Sequence, residues 1–451
     1  MTAKIQRNEI IAESRALIAL GLPLIVNNVI TGLNTFIDFI MTGKIGAADL
    51  AGVGVGNTIW AFVFLAGMGI LMALNPITAQ LDGAGEDRQI GETGRQSLWL
   101  GFFIATGIFL FLRHGADNVM RVIGIQAELI PIAHGYLRAL SFGTFAIYAF
   151  LGLRYISEGI GHTKPIMFIA LAGLCVNALG NYVLMFGNFG APALGTVGCG
   201  YATAIAMWCT FLGMLLYFVK TGKIYARINL FERFEWPHPV RLREILGVGL
   251  PISGSVSAEV GLFSAAGLIM GTLGANEAAA HSVAINYAST MFMVPLALHS
   301  AIMIRVGQAV GAENLRRARF TGWVGIAICS IFMAFSALVL LLFRGPITTL
   351  YVDDEAVRII AAQLLTMAVV FQIADGMQVG AAGAVRGFKD TRVPFYINVF
   401  SYWVIGFPVA WYFGTQLDWR GQGVWGGLAA GLTVSAALLC WRFRSISHAH
   451  R

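Results

Sequence analysis

Twelve stretches of this 451-residue chain are apolar enough and long enough to cross a lipid bilayer, and few folds are compatible with that. They fall near residues 16–40, 50–75, 94–113, 129–152, 166–187, 194–219, 245–271, 279–303, 319–343, 359–382, 395–414 and 423–442. A hydrocarbon layer about 30 Å thick needs roughly 20 apolar residues per helical span. Only 12% of the chain is charged, half the roughly 25% of a soluble domain. Alternating ten-residue segments of the outer-membrane barrel kind are absent. Because lipid offers no hydrogen bonds, the remaining spanning structure is the helix. The expected fold is an all-α polytopic membrane protein. The stretch from Met1 to Arg15 lacks the short apolar core and small-residue site of a cleaved signal, so the first span is expected to double as the insertion signal.

The formal charge of +7 could suggest an acidic partner such as nucleic acid, but its distribution has a simpler cause. With the N-terminus on the cytoplasmic side and the side alternating at each span, 23 of the 30 basic residues fall in cytoplasmic segments. Six fall opposite, and Arg138 lies inside a span. This bias follows the positive-inside rule. It places both termini in the cytoplasm and calls for no nucleic acid.

The sequence repeats itself at an offset of 228 residues. Gly21-Leu22-Pro23 returns as Gly249-Leu250-Pro251, Gly46-Ala47 as Gly274-Ala275, Gln80 as Gln308, and Thr93-Gly94 as Thr321-Gly322. Six spans separate the copies, so both have the same orientation, as in parallel-repeat transporters. The expected organisation is an amino-terminal six-helix lobe over 1–219, a cytoplasmic linker over 220–244 and a carboxy-terminal six-helix lobe over 245–451.

An ionisable group near the bilayer centre costs about 2.5–3.5 kcal/mol on insertion scales, and marks function by default. Three acids lie well inside the apolar spans: Asp38, Glu259 and Asp375. Asp38 ends a stripe of Asn27, Thr31 and Asn34 whose spacing of four, three and four puts all of them on one helix face. Asn177 and Asn181, four apart, form a second polar face in the same half. In the other half Glu259 follows Ser255 by one turn, Asp375 lies three residues from Gln372 and Gln378, and Ser282, Asn286 and Thr290 recur at steps of four. The offset maps Asp38 onto Ala266 and Glu259 onto Thr31, so the acids were not duplicated with the scaffold. A carboxylate in a partly dry cavity can hold a proton, a sodium ion or a cationic substrate, since desolvation favours the protonated form and a nearby cation the ionised one. His134 and Arg138 share a face in the fourth span and are expected to pair between helices. Tyr287, Met291, Phe292 and Met293 could line an adaptable cavity.

The five cysteines have no paired spacing and read as packing residues. No Walker pattern and no His-Glu-x-x-His or Gly-x-Ser-x-Gly signature occurs. These absences argue against an enzyme and against a cofactor, and leave an ion gradient as the source of energy.

Two segments carry a family resemblance. They are LGANEAAAHSVAINYASTMFMVPLALHSAIMIRVGQAVGA from Leu273 to Ala312 and ADGMQVGAAGAVRGFKDTRVP from Ala374 to Pro394. With the 6+6 spans, they make the chain resemble the multidrug and toxic compound extrusion (MATE) antiporters, in their bacterial branch, over essentially its whole length. The resemblance implies two six-helix lobes in a V, in a protein of the bacterial inner membrane. It implies export of small organic cations in exchange for Na⁺ or H⁺, by what is expected to be a monomer. It matches Glu259 and Asp375 to cation-site acids of the carboxy lobe, where Na⁺ could bind. Asp38, Asn177, Asn181 and Thr203 match the amino-lobe polar site, and Asn34, Asn286, Tyr287 and Gln378 complete the expected cavity lining. Both acid sets are present, so Na⁺ and H⁺ both stay open. His281, in the AAHSVA segment, is expected to be structural. The alternative is a lipid-linked oligosaccharide flippase of the same wider superfamily. That would call for a cavity rich in Arg and Lys to hold pyrophosphate, whereas only Arg138 is expected to be well buried.

Overall fold

The computed structural model describes the backbone of residues 2–449 and the side chains of 7–221 and 224–448. Among the described residues there are twelve membrane-length helices and no strand. They are α1 (Arg7–Gly43), α2 (Ala47–Gly83), α3 (Asp87–Ile123), α4 (Leu129–Gly159), α5 (Lys164–Leu184), α6 (Thr196–Lys220), α7 (Pro239–Leu273), α8 (Ala275–Gly311), α9 (Leu315–Tyr351), α10 (Glu355–Gly387), α11 (Arg392–Gln416) and α12 (Arg420–His448). Each contains most of one apolar stretch, and most run well past it. The longest have 37 residues and measure about 55 Å, nearly twice the hydrocarbon thickness. Hydropathy marks only the part of a helix that lipid solvates. The fifth stops before its stretch ends because Gly187 turns the chain at φ +74°, and α6 starts only after Gly195 at φ +58°.

Two compact units divide the chain, and their borders fall inside helices: one unit is Met1–Ile25 with Gly254–Arg451, the other Val26–Ser253. The expected lobes of 1–219 and 245–451 therefore exchange the first parts of α1 and α7. Both borders sit two residues after a helix proline, Pro23 and Pro251, and they are one repeat offset apart, since 253 minus 25 is 228. Packing explains the exchange. Leu17 is fully buried among Leu298, Ala301, Ile302 and Val306, whereas Ile245 and Ile252 are buried among Leu71, Leu74, Tyr148 and Tyr155. Leu17 and Ile245 are repeat equivalents, so each copy's first helix starts in the core of the other copy's unit.

The linker is held in the Val26–Ser253 unit by the start of α3. The Arg95 guanidinium donates to the carbonyls of Asn229 (2.8 Å) and Leu230 (3.3 Å) and to Glu235 (3.1 Å). Gln96 donates to the Trp236 carbonyl at 3.0 Å and accepts from the His238 amide at 2.7 Å. Trp99 donates to the Glu235 carbonyl at 2.8 Å and stacks on Trp236. Arg95 and Arg233 hold the Glu235 carboxyl below its ordinary value of 4.5. A lowered carboxylate stabilises the folded state above the unfolded value and loses that contribution as pH falls through the folded one. The clasp is therefore expected to stay closed at pH 5 and to loosen below about pH 4.5. In Arg95→Ala, which strips three bonds at once, limited proteolysis between residues 226 and 238 at pH 7 is expected to be about tenfold faster, one net bond to a charged group being worth about 1.5 kcal/mol. An unchanged cleavage rate would show that Arg95 does not hold the linker.

Candidate functional site

Acidic side chains sort themselves by partner. Outside the three sequence candidates, Glu13, Glu158 and Glu277 are also buried, inside helices that continue beyond their apolar windows. Each has an arginine: Arg305 at 2.6 Å, Arg154 at 2.6 Å and Arg420 at 3.1 Å. Such pairs are structural, because a buried charge is tolerated when it is paired. Among the described residues, Asp38, Glu259 and Asp375 have no basic group within 4 Å. Hydrophobic depth alone could not make this separation.

In the Val26–Ser253 unit, Asp38 on α1 is 9% exposed and meets the two asparagines of α5. The Asn181 amide donates to the Asp38 carboxylate at 2.6 Å and to Asn177 at 3.3 Å. Asn177 donates to the Thr203 hydroxyl at 3.2 Å, and Thr203 returns to the Cys199 carbonyl on its own helix. The helices approach this closely because Gly180 of α5 faces Ala202 of α6, where a Cβ would stand 2.9 Å from the alanine methyl. The four residues expected together are together. Two others, the fully buried Cys199 and the buried Tyr136, lie within electrostatic range of the carboxylate and were not anticipated; nothing in a lone Cys or Tyr of an apolar helix marks it. Asn34 and Asn181 each keep a buried carbonyl oxygen with no hydrogen-bond partner. An orphaned buried acceptor costs about 1–3 kcal/mol, so these oxygens, that of Asn181 beside the Asp38 carboxylate, suit a cation or a protonated group.

The other unit builds its site on α10. Gly376 and Gly380 lie against Cys329 and Ile326 of α9, and Gly383 against His299 of α8, each where a Cβ would come within 3 Å of a neighbouring atom. This close packing buries Gln372, Asp375 and Gln378, all 3% exposed or less. Gln378 donates to the Tyr402 hydroxyl at 3.0 Å. Tyr402 and Ser401 lie in a π-helical turn of α11, Phe400–Gly406; such turns re-aim side chains and occur often at functional sites. Both polar atoms of Gln372, the Gln378 carbonyl oxygen and the Ser401 hydroxyl are buried without partners. Glu259, half-buried on α7, lies within electrostatic range of Asp375 and Tyr402.

Not every expected residue joins these clusters. Asn286 is exposed and accepts a hydrogen bond from Tyr351 at 3.1 Å. Ser282 and Thr290 are exposed too, and their hydroxyls turn back to their own helix backbone. Tyr287 is buried against Ser336 of α9. His281 accepts from the Trp425 indole at 3.2 Å, in keeping with a structural part. His134 pairs with Asp117, but Arg138, read as buried, is exposed: its residues face outward one step along the helix from Leu137. Among the described residues the buried arginines are Arg95, spent on the linker, and Arg386. No group of three or more His, Cys, Asp or Glu residues converges among the described residues.

Twelve helices in two repeated halves, with unpaired carboxylates and orphaned oxygens in each unit, define a multi-pass membrane protein with polar sites inside its spans. The chain belongs to the MatE family, whose model matches residues 23–183 and 251–412, one block in each repeat. It is 38% identical to "Multidrug resistance protein PmpM" of Pseudomonas aeruginosa over 96% of this chain and 91% of that protein. It is 40% identical to "Probable multidrug resistance protein NorM" of Xanthomonas axonopodis pv. citri, over 97% and 95%, and 37% to "Multidrug resistance protein NorM" of Aliivibrio fischeri, over 94% and 93%. The fold matches a crystal structure of "MATE in the bent conformation" with a TM-score of 0.90 at 20% identity, over 97% of this chain and 96% of that one.

Proposed function

We propose that this chain is a secondary active multidrug transporter of the bacterial inner membrane, which exports small organic cations in exchange for Na⁺ or H⁺. The observation that carries the reading is the partnering of the acids. Among the described residues Asp38, Glu259 and Asp375 lack a basic counter-charge within 4 Å, while Glu13, Glu158 and Glu277 have one. An unpaired intramembrane carboxylate needs a cation or a proton, and one that can take either in turn can exchange one for the other. Asn177, Asn181 and Thr203 orient Asp38, and near Asp375 Gln378 is bonded to Tyr402. A sodium ion there would draw its remaining ligands from amide and hydroxyl oxygens, the hard donors such ions prefer. The names of the relatives, all multidrug resistance proteins, support the drug-export part. Both termini are assigned to the cytoplasm by the positive-charge bias, and the working unit to the monomer.

The flippase reading lacks its basic cavity. Of the two arginines buried among the described residues, Arg95 is bonded to the linker and Arg386 to a histidine. Proteoliposomes test the exporter reading. Adding ethidium to vesicles that hold a pH gradient, with and without Na⁺, is expected to dissipate one of the two gradients. Drug movement that is indifferent to both gradients would overturn the coupling.

A further inference from the structure

Arg386 is a buried cation for which the proposed mechanism has no use. It ends α10 one residue before Gly387, is 6% exposed, and stands eleven residues from Asp375, about 16 Å along the helix. In this same unit Arg305 and Arg420 reach carboxylates. Among the described residues Arg386 reaches none within 4 Å. Its nearest polar partner is the His299 ring, Nη1 to Nε2 at 3.2 Å. The other ring nitrogen, Nδ1, lies 2.9 Å from the Val379 carbonyl. A carbonyl only accepts, so Nδ1 carries the ring proton and Nε2 accepts from the guanidinium. The imidazole is therefore neutral, as a second cation at this distance would be repelled. Gly383 secures the arrangement: a Cβ there would stand 2.6 Å from the His299 carbonyl oxygen and 3.2 Å from Nδ1.

The guanidinium is thus positioned but not neutralised by its contact. Burying such a charge is costly unless an opposite one lies near. Glu259 is within electrostatic range of it, and Tyr402 is within range of Glu259, Asp375 and Arg386 together. We infer that Arg386, held by His299, is a fixed internal counter-cation for the Glu259–Asp375 pair, and that it limits the exchanged charge at this site to one. Two carboxylates and one guanidinium leave a single negative charge for an incoming ion to match. Arginine suits the part because it does not deprotonate in proteins, unlike lysine or histidine in a dry site. It acts on the ion through the charge of the acids and touches no ion itself. The inference rests on the proposed coupling role of Glu259 and Asp375.

The test uses the purified full-length chain and reads binding of ²²Na⁺ at fixed pH and proton uptake in sodium-free buffer. Whichever cation the wild-type chain binds is then followed in the variants. Arg386→Gln is expected to bind that cation about tenfold more tightly, or to take up a second one, as loss of the unit charge that acts on Glu259 predicts. Arg386→Lys is expected to stay within about threefold of wild type. Wild-type affinity and stoichiometry in Arg386→Gln would overturn the inference if Glu259→Gln and Asp375→Asn lose binding. If those two acid variants also bind as wild type, the coupling role itself is wrong and the inference falls with it. Should Arg386→Gln fail to fold, the double variant Glu259→Gln/Arg386→Gln, which removes both charges, is expected to recover folded yield. Absence of that rescue would likewise overturn the assignment.

Discussion

Asp38→Asn is expected to lower ethidium efflux from intact cells by about ten- to a hundredfold while leaving the protein folded. The first half follows from charge. A contact between a cation and this carboxylate is worth about 1.5–3 kcal/mol, and among the described residues no neighbouring acid or base replaces it. The second half follows from geometry. The Asn181 amide donates to one carboxylate oxygen of Asp38 at 2.6 Å, and an asparagine oxygen in the same place still accepts that bond. Thr42 bonds the residue's backbone carbonyl at 2.7 Å, which the substitution does not touch. Glu277→Gln makes the matched comparison. That acid is as deeply buried but paired with Arg420, so its loss should lower the melting temperature and leave efflux per folded molecule intact. Undiminished efflux in Asp38→Asn, and in the combined Asp38→Asn/Asp375→Asn variant, would remove the carboxylates from the mechanism.

What the sequence revealed and what it hid divide along the range of the interactions. Twelve spans were legible because lipid imposes hydropathy on every turn of a helix it solvates. The Asp38 cluster was legible because α1 and α5 each write their polar face in steps of three and four. Pairing of acids with arginines was not, since Glu13 meets Arg305 across 292 residues, and Glu158 and Glu277 sit beyond the apolar windows. Arg386 stood in the basic segment Val385-Arg386-Gly387-Phe388-Lys389 and counted as one more cytoplasmic charge, although it is buried and Lys389 is not. Asn286 followed the same spacing rule as Asp38 and emerged on an exposed face. Periodicity says which residues share a face, and packing alone says what that face meets. The crossing of α1 and α7 between units was hidden for the same reason: Leu17 and Ile245 are apolar residues like many others until their neighbours are known.

That crossing is testable through glycines that the repeat places at equivalent positions. Gly249→Ala is expected to destabilise the protein by about 3 kcal/mol, near the upper end of overpacking costs, and to reduce the monodisperse fraction in detergent. A Cβ at Gly249 would stand 2.2 Å from the Ile70 carbonyl oxygen and 2.9 Å from Ile70 Cα. Those are backbone atoms of α2 and cannot rotate away. Gly247, two residues earlier on the same helix, has nothing within 4 Å of its Cβ position. Alanine there should be neutral or stabilising by up to about 1 kcal/mol, since glycine is the poorer helix former. Gly21, the repeat equivalent of Gly249, faces the Leu298 side chain at 3.1 Å. A leucine methyl can give way, so Gly21→Ala should cost no more than about 1 kcal/mol. Melting curves of the three variants would read the order directly. Equal melting temperatures for Gly247→Ala and Gly249→Ala would mean that α7 does not enter the core of the Val26–Ser253 unit as described. The expected order, with Gly249→Ala far below the other two, follows only if the first part of α7 is packed backbone to backbone against α2.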